Sequence, residues 1–106
     1  MKILLDENLP HELRHEISGH DVFTAKYLGW SGMKNGLLLT QAAATGFDLM
    51  ITMDSGVQYQ QNPGTLGLSI IVLRAASNDM DDLRPLLPLL LEVLRNLKPR
   101  SVVRIP

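Results

Sequence analysis

Three runs of this chain are apolar almost without interruption: Lys2-Ile3-Leu4-Leu5, Leu49-Met50-Ile51-Thr52-Met53 and Ser69-Ile70-Ile71-Val72-Leu73. A strand with one wet face alternates apolar and polar residues. A strand that does not alternate has to be covered on both faces, as happens in parallel sheets with crossover helices above and below. The intervening segments carry helical spacing. The chain therefore reads as α/β, a three-layer α/β/α sandwich around a central, mostly parallel sheet of four to five strands.

The order of elements follows from local signals. Strand one spans about Lys2 to Asp6. A helix is expected next, with Pro10 in its first turn and Leu9, Leu13 and Ile17 four apart on a buried face. Gly19 stops it, and Asp21 to Ala25 is a short second strand. Tyr27 to Gly36 is a loop punctuated by Gly29, Gly32 and Gly36, with Trp30 in its middle as either a binding anchor or a plug. A helix over about Asn35 to Thr45 is expected to turn Leu37, Leu38 and Ala42 inward. Strand three covers Asp48 to Met53, and strand four covers Ser69 to Leu73. Leu83, Leu87, Leu90, Leu94 and Leu97 then mark one face of a last helix. Asp79 is its expected cap, and Pro88 is expected to kink or restart it. Ser101 to Ile105 is an edge strand. Leu86, Leu89 and Leu91 exceed what one helix face needs, so either a homodimer or a corner of the monomer covers them.

A chain of 106 residues forms one domain, residues 1–106, with 45% hydrophobic residues to supply a single core. The net charge of -1 is unlike that of a basic nucleic-acid coat protein. There is no cysteine, which excludes disulfides and thiolate metal sites and suits a reducing cytoplasm. Asp6 and Glu7 interrupt any signal-peptide pattern, and no apolar run approaches the ~20 residues that span a bilayer. The expected location is cytoplasmic, without a membrane partner.

Chemistry is concentrated at two strand ends. The first apolar run meets Asp6-Glu7, and the second meets Asp54. In an open parallel sheet, ligands bind outside the carboxyl ends of the strands. A single strand-end acid can merely cap the next helix. Asp6, Glu7 and Asp54 together make a candidate catalytic cluster, with Asp6 and Asp54 as metal ligands, because converging carboxylates repel unless they share a cation or a proton. Oxygen donors with water suit Mg²⁺ or Mn²⁺. Such an ion activates water and stabilises a phosphodiester under attack.

A louder motif points elsewhere. His11-Glu12-Leu13-Arg14-His15 matches the zinc-protease pattern H-E-x-x-H. At ~100° per residue both histidines lie about 160° from Leu13 and so face solvent, and the pattern is set aside. Tyr59, within Gln58 to Asn62, is a candidate substrate contact, its ring stacking on a base while Gln58 meets the backbone. A polar surface helix is the plainer reading of that segment. Arg95, Lys98, Arg100 and Arg104 read as solvated.

The segment Leu4-Leu5-Asp6-Glu7-Asn8-Leu9-Pro10 resembles the short bacterial PIN-like domains of unknown function, relatives of VapC-type toxin ribonucleases. The resemblance runs on through Gly19-His20-Asp21-Val22, Gly46-Phe47-Asp48, Ile51-Thr52-Met53-Asp54 and Tyr59-Gln60-Gln61-Asn62. It implies a PIN-like sandwich, a Mg²⁺- or Mn²⁺-dependent endoribonuclease activity, RNA as substrate and, for a toxin, an antitoxin-like protein partner. Asp6 and Asp54 fall at the family's strand-end acids, Glu7 adjoins the first, and Thr52 matches a small hydroxyl residue nearby. The family's acid at the start of the second helix is absent from Met33-Lys34-Asn35-Gly36-Leu37, where Asn35 offers a neutral oxygen. The acid that often follows the Asp54 position is absent too. The implied ribonuclease thus has an incomplete acidic cluster, and its alternative is a catalytically weakened module that binds RNA or protein. Response-regulator receivers also pair acids after strand one with an Asp after strand three. A receiver should then have a Thr or Ser after strand four and a Lys after strand five, whereas here Leu73 is followed by Arg74-Ala75-Ala76-Ser77 and the final strand ends the chain.

Overall fold

The computed structural model of the chain describes residues 1–56, 65 and 67–106, the side chain of Asn35 excepted. Five strands form one all-parallel sheet: β1 (Lys2–Leu5), β2 (Asp21–Thr24), β3 (Leu49–Thr52), β4 (Ser69–Leu73) and β5 (Val102–Ile105). Their order is β2-β1-β3-β4-β5. The three runs that lack alternation are the three inner strands. β3 and β4 are buried at every residue, and β1 at every residue but Lys2. The strands that keep partly exposed residues throughout most of their length, β2 and β5, are the edges.

Each face of the sheet carries its own core. On the first face, Ile3, Leu5, Leu49, Ile51, Ile71 and Leu73 pack against Leu9, Leu13 and Ile17 and against Leu83, Leu87, Leu90 and Leu94. On the second, Leu4, Met50, Ile70 and Val72 pack against Leu38, Leu39 and Ala42 of α1 (Asn35–Ala44). The crossovers β1→β2 and β4→β5 both pass over the first face but step in opposite directions along the sheet. They therefore differ in hand, and the usual right-handed rule holds for only one of them.

Local structure departs from expectation in two places. The segment after β1 is a 3-10 helix, His11–Glu16, rather than an α-helix. It is six residues long, with extended Pro10 before it and a non-helical Ile17 after it, so only a short run has helical geometry. Leu9, Leu13 and Ile17 are nonetheless buried. In α1 the inward residues are Leu38, Leu39 and Ala42, whereas Leu37 is 60% exposed. One helical position, about 100°, separates Leu37 from Leu38, enough to move a side chain off the covered face.

The leucine-rich segment behaves as its prolines require. α2 (Met80–Leu83) passes into a 3-10 turn (Arg84–Leu86) and restarts as α3 (Leu87–Asn96), with a proline in the first turn of each later piece. Asp79 precedes α2 without a side-chain capping bond. Leu86 and Leu91 find cover against the first core, and Leu89 stays 44% exposed. Trp30 plugs the second core edge-on to Phe47, 6.0 Å between ring centroids. Among the described residues, no helix is long and apolar enough to cross a membrane.

The assignment of α3's inner face is tested by paired truncations. Leu90→Ala is expected to cost about 2–5 kcal/mol in urea denaturation, as for a buried leucine that leaves a cavity. Leu89→Ala is expected to change stability by no more than about 0.5 kcal/mol. Equal costs would overturn the assignment.

Candidate active site

The sheet order places a topological switch between β1 and β3, because the chain leaves β1 toward β2 on one side and returns to β3 on the other. Crevices outside the carboxyl ends of strands at such a point are where open α/β sheets bind ligands. The register brings specific side chains there. Leu5 pairs with Ile51, so the next residues along, Asp6 and Thr52, stand side by side. The ladder continues one step, with Asp6 N–H donating to the Ile51 carbonyl at 3.0 Å. The alternation of side chains then puts Asp6 and Thr52 on the same face, that of Leu4 and Met50.

Asp6 is 3% exposed and Thr52 fully buried. The Thr52 hydroxyl donates to Asp6 Oδ2 at 2.7 Å, and the Glu7 N–H donates to Asp6 Oδ1 at 2.8 Å. The same Thr52 oxygen accepts the Asp54 N–H at 3.0 Å. One hydroxyl thus ties the carboxylate at the end of β1 to the backbone of the acid after β3. Asp54 closes its own turn, its Oδ1 accepting the Gly56 N–H at 2.9 Å. A Cβ at residue 56 would lie 3.3 Å from that oxygen, tighter than ordinary contact.

Burial pushes the Asp6 carboxyl above the usual aspartate range. The bonds from Thr52 and from the Glu7 N–H oppose that shift, while the charges of Glu7 and Asp54 add to it. The Asp54 charge is the smallest of these contributions.

The other expected residues are used differently or lie apart. The Glu7 carboxylate reaches across to the loop after β2 and accepts the Gly32 N–H through both oxygens, at 3.2 and 3.1 Å. Gly32 has φ +81°, a conformation glycine adopts without strain. Glu7 is exposed and anchors this loop beside the crevice. Asn35 begins α1, and its side chain lies outside the described residues, as do Gln58 and Tyr59. His11 and His15 are exposed, and His11 pairs locally with Glu12 at 3.4 Å.

The donor set suits one kind of divalent ion. No group of three His, Cys, Asp or Glu side chains among the described residues is arranged to cage a metal. Asp6 and Asp54 supply two carboxylates, and each Asp6 oxygen keeps a lone pair beyond its single hydrogen bond. Mg²⁺ is commonly held in this way, by one or two carboxylates with waters and substrate phosphate completing its shell. Two residues beyond Asp6, the side-chain oxygen of Asn8 is buried without a hydrogen-bond partner among the described residues.

A cavity lies one strand further out, at the carboxyl end of β2. It measures about 440 Å³ and is lined by His11, Arg14, Thr24, Lys26 and Tyr27 over Val22 and Phe23. None of these was singled out as a binding residue from sequence. The reason is periodicity. Read as an α-helix, His11 aligns with His15. In a 3-10 helix, with three residues per turn, His11 aligns with Arg14, and both reach the cavity.

Comparison with known protein families, with curated proteins and with solved structures finds no match to this chain.

Thr52→Val keeps the shape of residue 52 and deletes its hydroxyl. It leaves the Asp6 carboxylate buried with one donor fewer, which is expected to cost roughly 1–3 kcal/mol at pH 7. The sign of the pH dependence follows from the raised Asp6 pKa. The folded state holds this proton more tightly than the unfolded chain, so stability falls as pH rises from about 4 through the folded-state value. Losing the Thr52 bond raises that value further. The cost of the substitution should therefore grow from acid to neutral pH. A urea-denaturation series from pH 4 to 7 checks this, and a cost independent of pH would contradict it.

Proposed function

We propose that this chain is a PIN-like, divalent-metal-dependent ribonuclease with a reduced acidic centre. The observation that carries the reading is the Asp6–Thr52–Asp54 link across the β1/β3 switch point. It gathers two acids where an α/β sheet presents its ligand site, in the positions that the PIN-like resemblance gives to strand-end acids.

In this reading Asp6 and Asp54 hold Mg²⁺ or Mn²⁺. When bound, such an ion polarises a phosphoryl oxygen and lowers the pKa of water. Thr52 fixes one Asp6 oxygen by donating to it, and the Glu7 N–H fixes the other. Asp6 also carries the proton at low pH, since its burial favours the neutral form. Protons therefore compete with a cation for the same oxygens, and ion binding weakens as the pH falls. Glu7, through Gly32, keeps the loop after β2 in place beside the crevice. With two acids rather than a fuller set, ion affinity and turnover are both low. A toxin-type role would add an antitoxin-like protein as partner, and a homodimer would draw on exposed Leu89.

The receiver alternative shares the strand order β2-β1-β3-β4-β5 and an acid after β3. It requires a hydroxyl at the end of β4, where Arg74-Ala75-Ala76 follows Leu73, and it is not adopted.

Mixed-sequence RNA incubated with Mn²⁺ tests the proposal. Slow cleavage is expected from the native protein, falling by about 100-fold in Asp6→Asn and in Asp54→Asn, as when one electrostatic contact to the transition state is lost. Equal cleavage by all three proteins would remove the enzyme claim. Saturable RNA binding in EDTA without turnover would leave the weakened binding module in its place.

A further inference from the structure

We propose that the cavity at the carboxyl end of β2 binds a nucleotide unit of single-stranded RNA, with Arg14 and Lys26 taking its phosphate and the Tyr27 ring stacking on its base. The inference rests on the ribonuclease reading for its physiological ligand and names the place where the substrate strand is held.

Four observations lead to it. First, the lining is cationic in a chain of net charge -1. Arg14 and Lys26 both face the cavity, no carboxylate lines it, and neither cation has an ion-pair partner among the described residues. Second, Tyr27 is 76% exposed, the most exposed large apolar side chain among the described residues, with the Phe23 ring 6.1 Å away. Aromatic faces left in solvent beside cations are the platform on which single-stranded nucleic acid stacks without regard to sequence. Third, about 440 Å³ falls within the range of small-molecule sites. Fourth, the backbone holds these groups in register with the acids. Thr24 pairs with Leu5, the Ala25 N–H donates to the Leu5 carbonyl at 3.2 Å, and Asp6 follows Leu5 directly. The cavity therefore lies at the carboxyl end of the strand that pairs with β1, and β1 leads directly into Asp6.

The short 3-10 helix is what builds the cationic wall. Three residues per turn stack His11 directly over Arg14, where an α-helix would set them about 60° apart. Thr24 contributes order to the opposite wall, its hydroxyl accepting the Tyr27 N–H at 3.1 Å.

Fluorescence anisotropy with a labelled single-stranded RNA 12-mer of mixed sequence, in EDTA to prevent turnover, tests the proposal. Arg14, Lys26 and Tyr27 are exposed, so their variants should fold, and melting curves confirm it. Tyr27→Ala and the double variant Arg14→Gln/Lys26→Gln are each expected to weaken binding about fivefold or more. The double variant should also flatten the salt dependence by roughly one to two phosphate contacts. A free nucleoside 5′-monophosphate should displace the RNA better than inorganic phosphate does. Equal displacement would mean an anion site alone and overturn the nucleotide assignment. RNA binding unchanged in the variants would overturn the cavity as the site, even if Mn²⁺-dependent cleavage were still lost in Asp6→Asn and the ribonuclease reading stood. Loss of binding in the variants, with no Asp6-dependent cleavage in the native protein, would retain the cavity and remove the enzyme.

Discussion

A carboxylate held out of water is costly, and Asp6 is the buried one among the described residues. Asp6 follows a strand whose last three residues are buried, where an ionised oxygen without donors would be strongly unfavourable. Two donors meet it, the adjacent Glu7 N–H and the Thr52 hydroxyl, and the second depends on the β1–β3 register. A slip of one residue would turn Thr52 to the other face and strand the charge. The apolar packing of both cores and the placement of Asp6 thus require the same alignment. Stability alone gives no reason to retain a desolvated acid, since a neutral residue of the same shape would avoid the cost. Its presence at the switch point is the strongest mark of function in the chain.

The centre also organises what lies around it. Through Thr52 it orients the backbone of Asp54, and through Glu7 it secures the loop after β2 at Gly32. That loop begins with Lys26 and Tyr27, the residues of the cationic cavity. In the proposed ribonuclease, an acid pair would by itself repel a phosphodiester, and the proposed role of Arg14, Lys26 and Tyr27 is to supply the hold that the acids cannot.

Much of this fold is legible in the amino-acid order. Runs without alternation, such as Leu49–Thr52 and Ser69–Leu73, are inner strands because both of their faces are covered. Pro85 and Pro88 divide the last helical segment where their missing N–H groups require. Other features depend on tertiary context. Leu9, Leu13 and Ile17 are compatible with an α-helix, yet the sheet needs only their burial, and a short 3-10 helix delivers it. Leu37 and Leu38 are alike in sequence, and only the tilt of α1 on the sheet decides that Leu37 is the exposed one. The cavity was hidden for the same reason, since the partner of His11 changes from His15 to Arg14 with the helix type. The order of strands, too, is set by which crossovers pass over which face, and that is not written in any local pattern.

Carbon-detected NMR titration of the Asp6 side-chain carboxyl, in the native protein and in Asp54→Asn, tests most directly whether the two acids form one centre. A midpoint above the usual aspartate range that falls when Asp54 is neutralised is the expected result. An Asp6 midpoint in the usual range, or one indifferent to Asp54, would show two separate strand-end carboxylates and contradict a shared site.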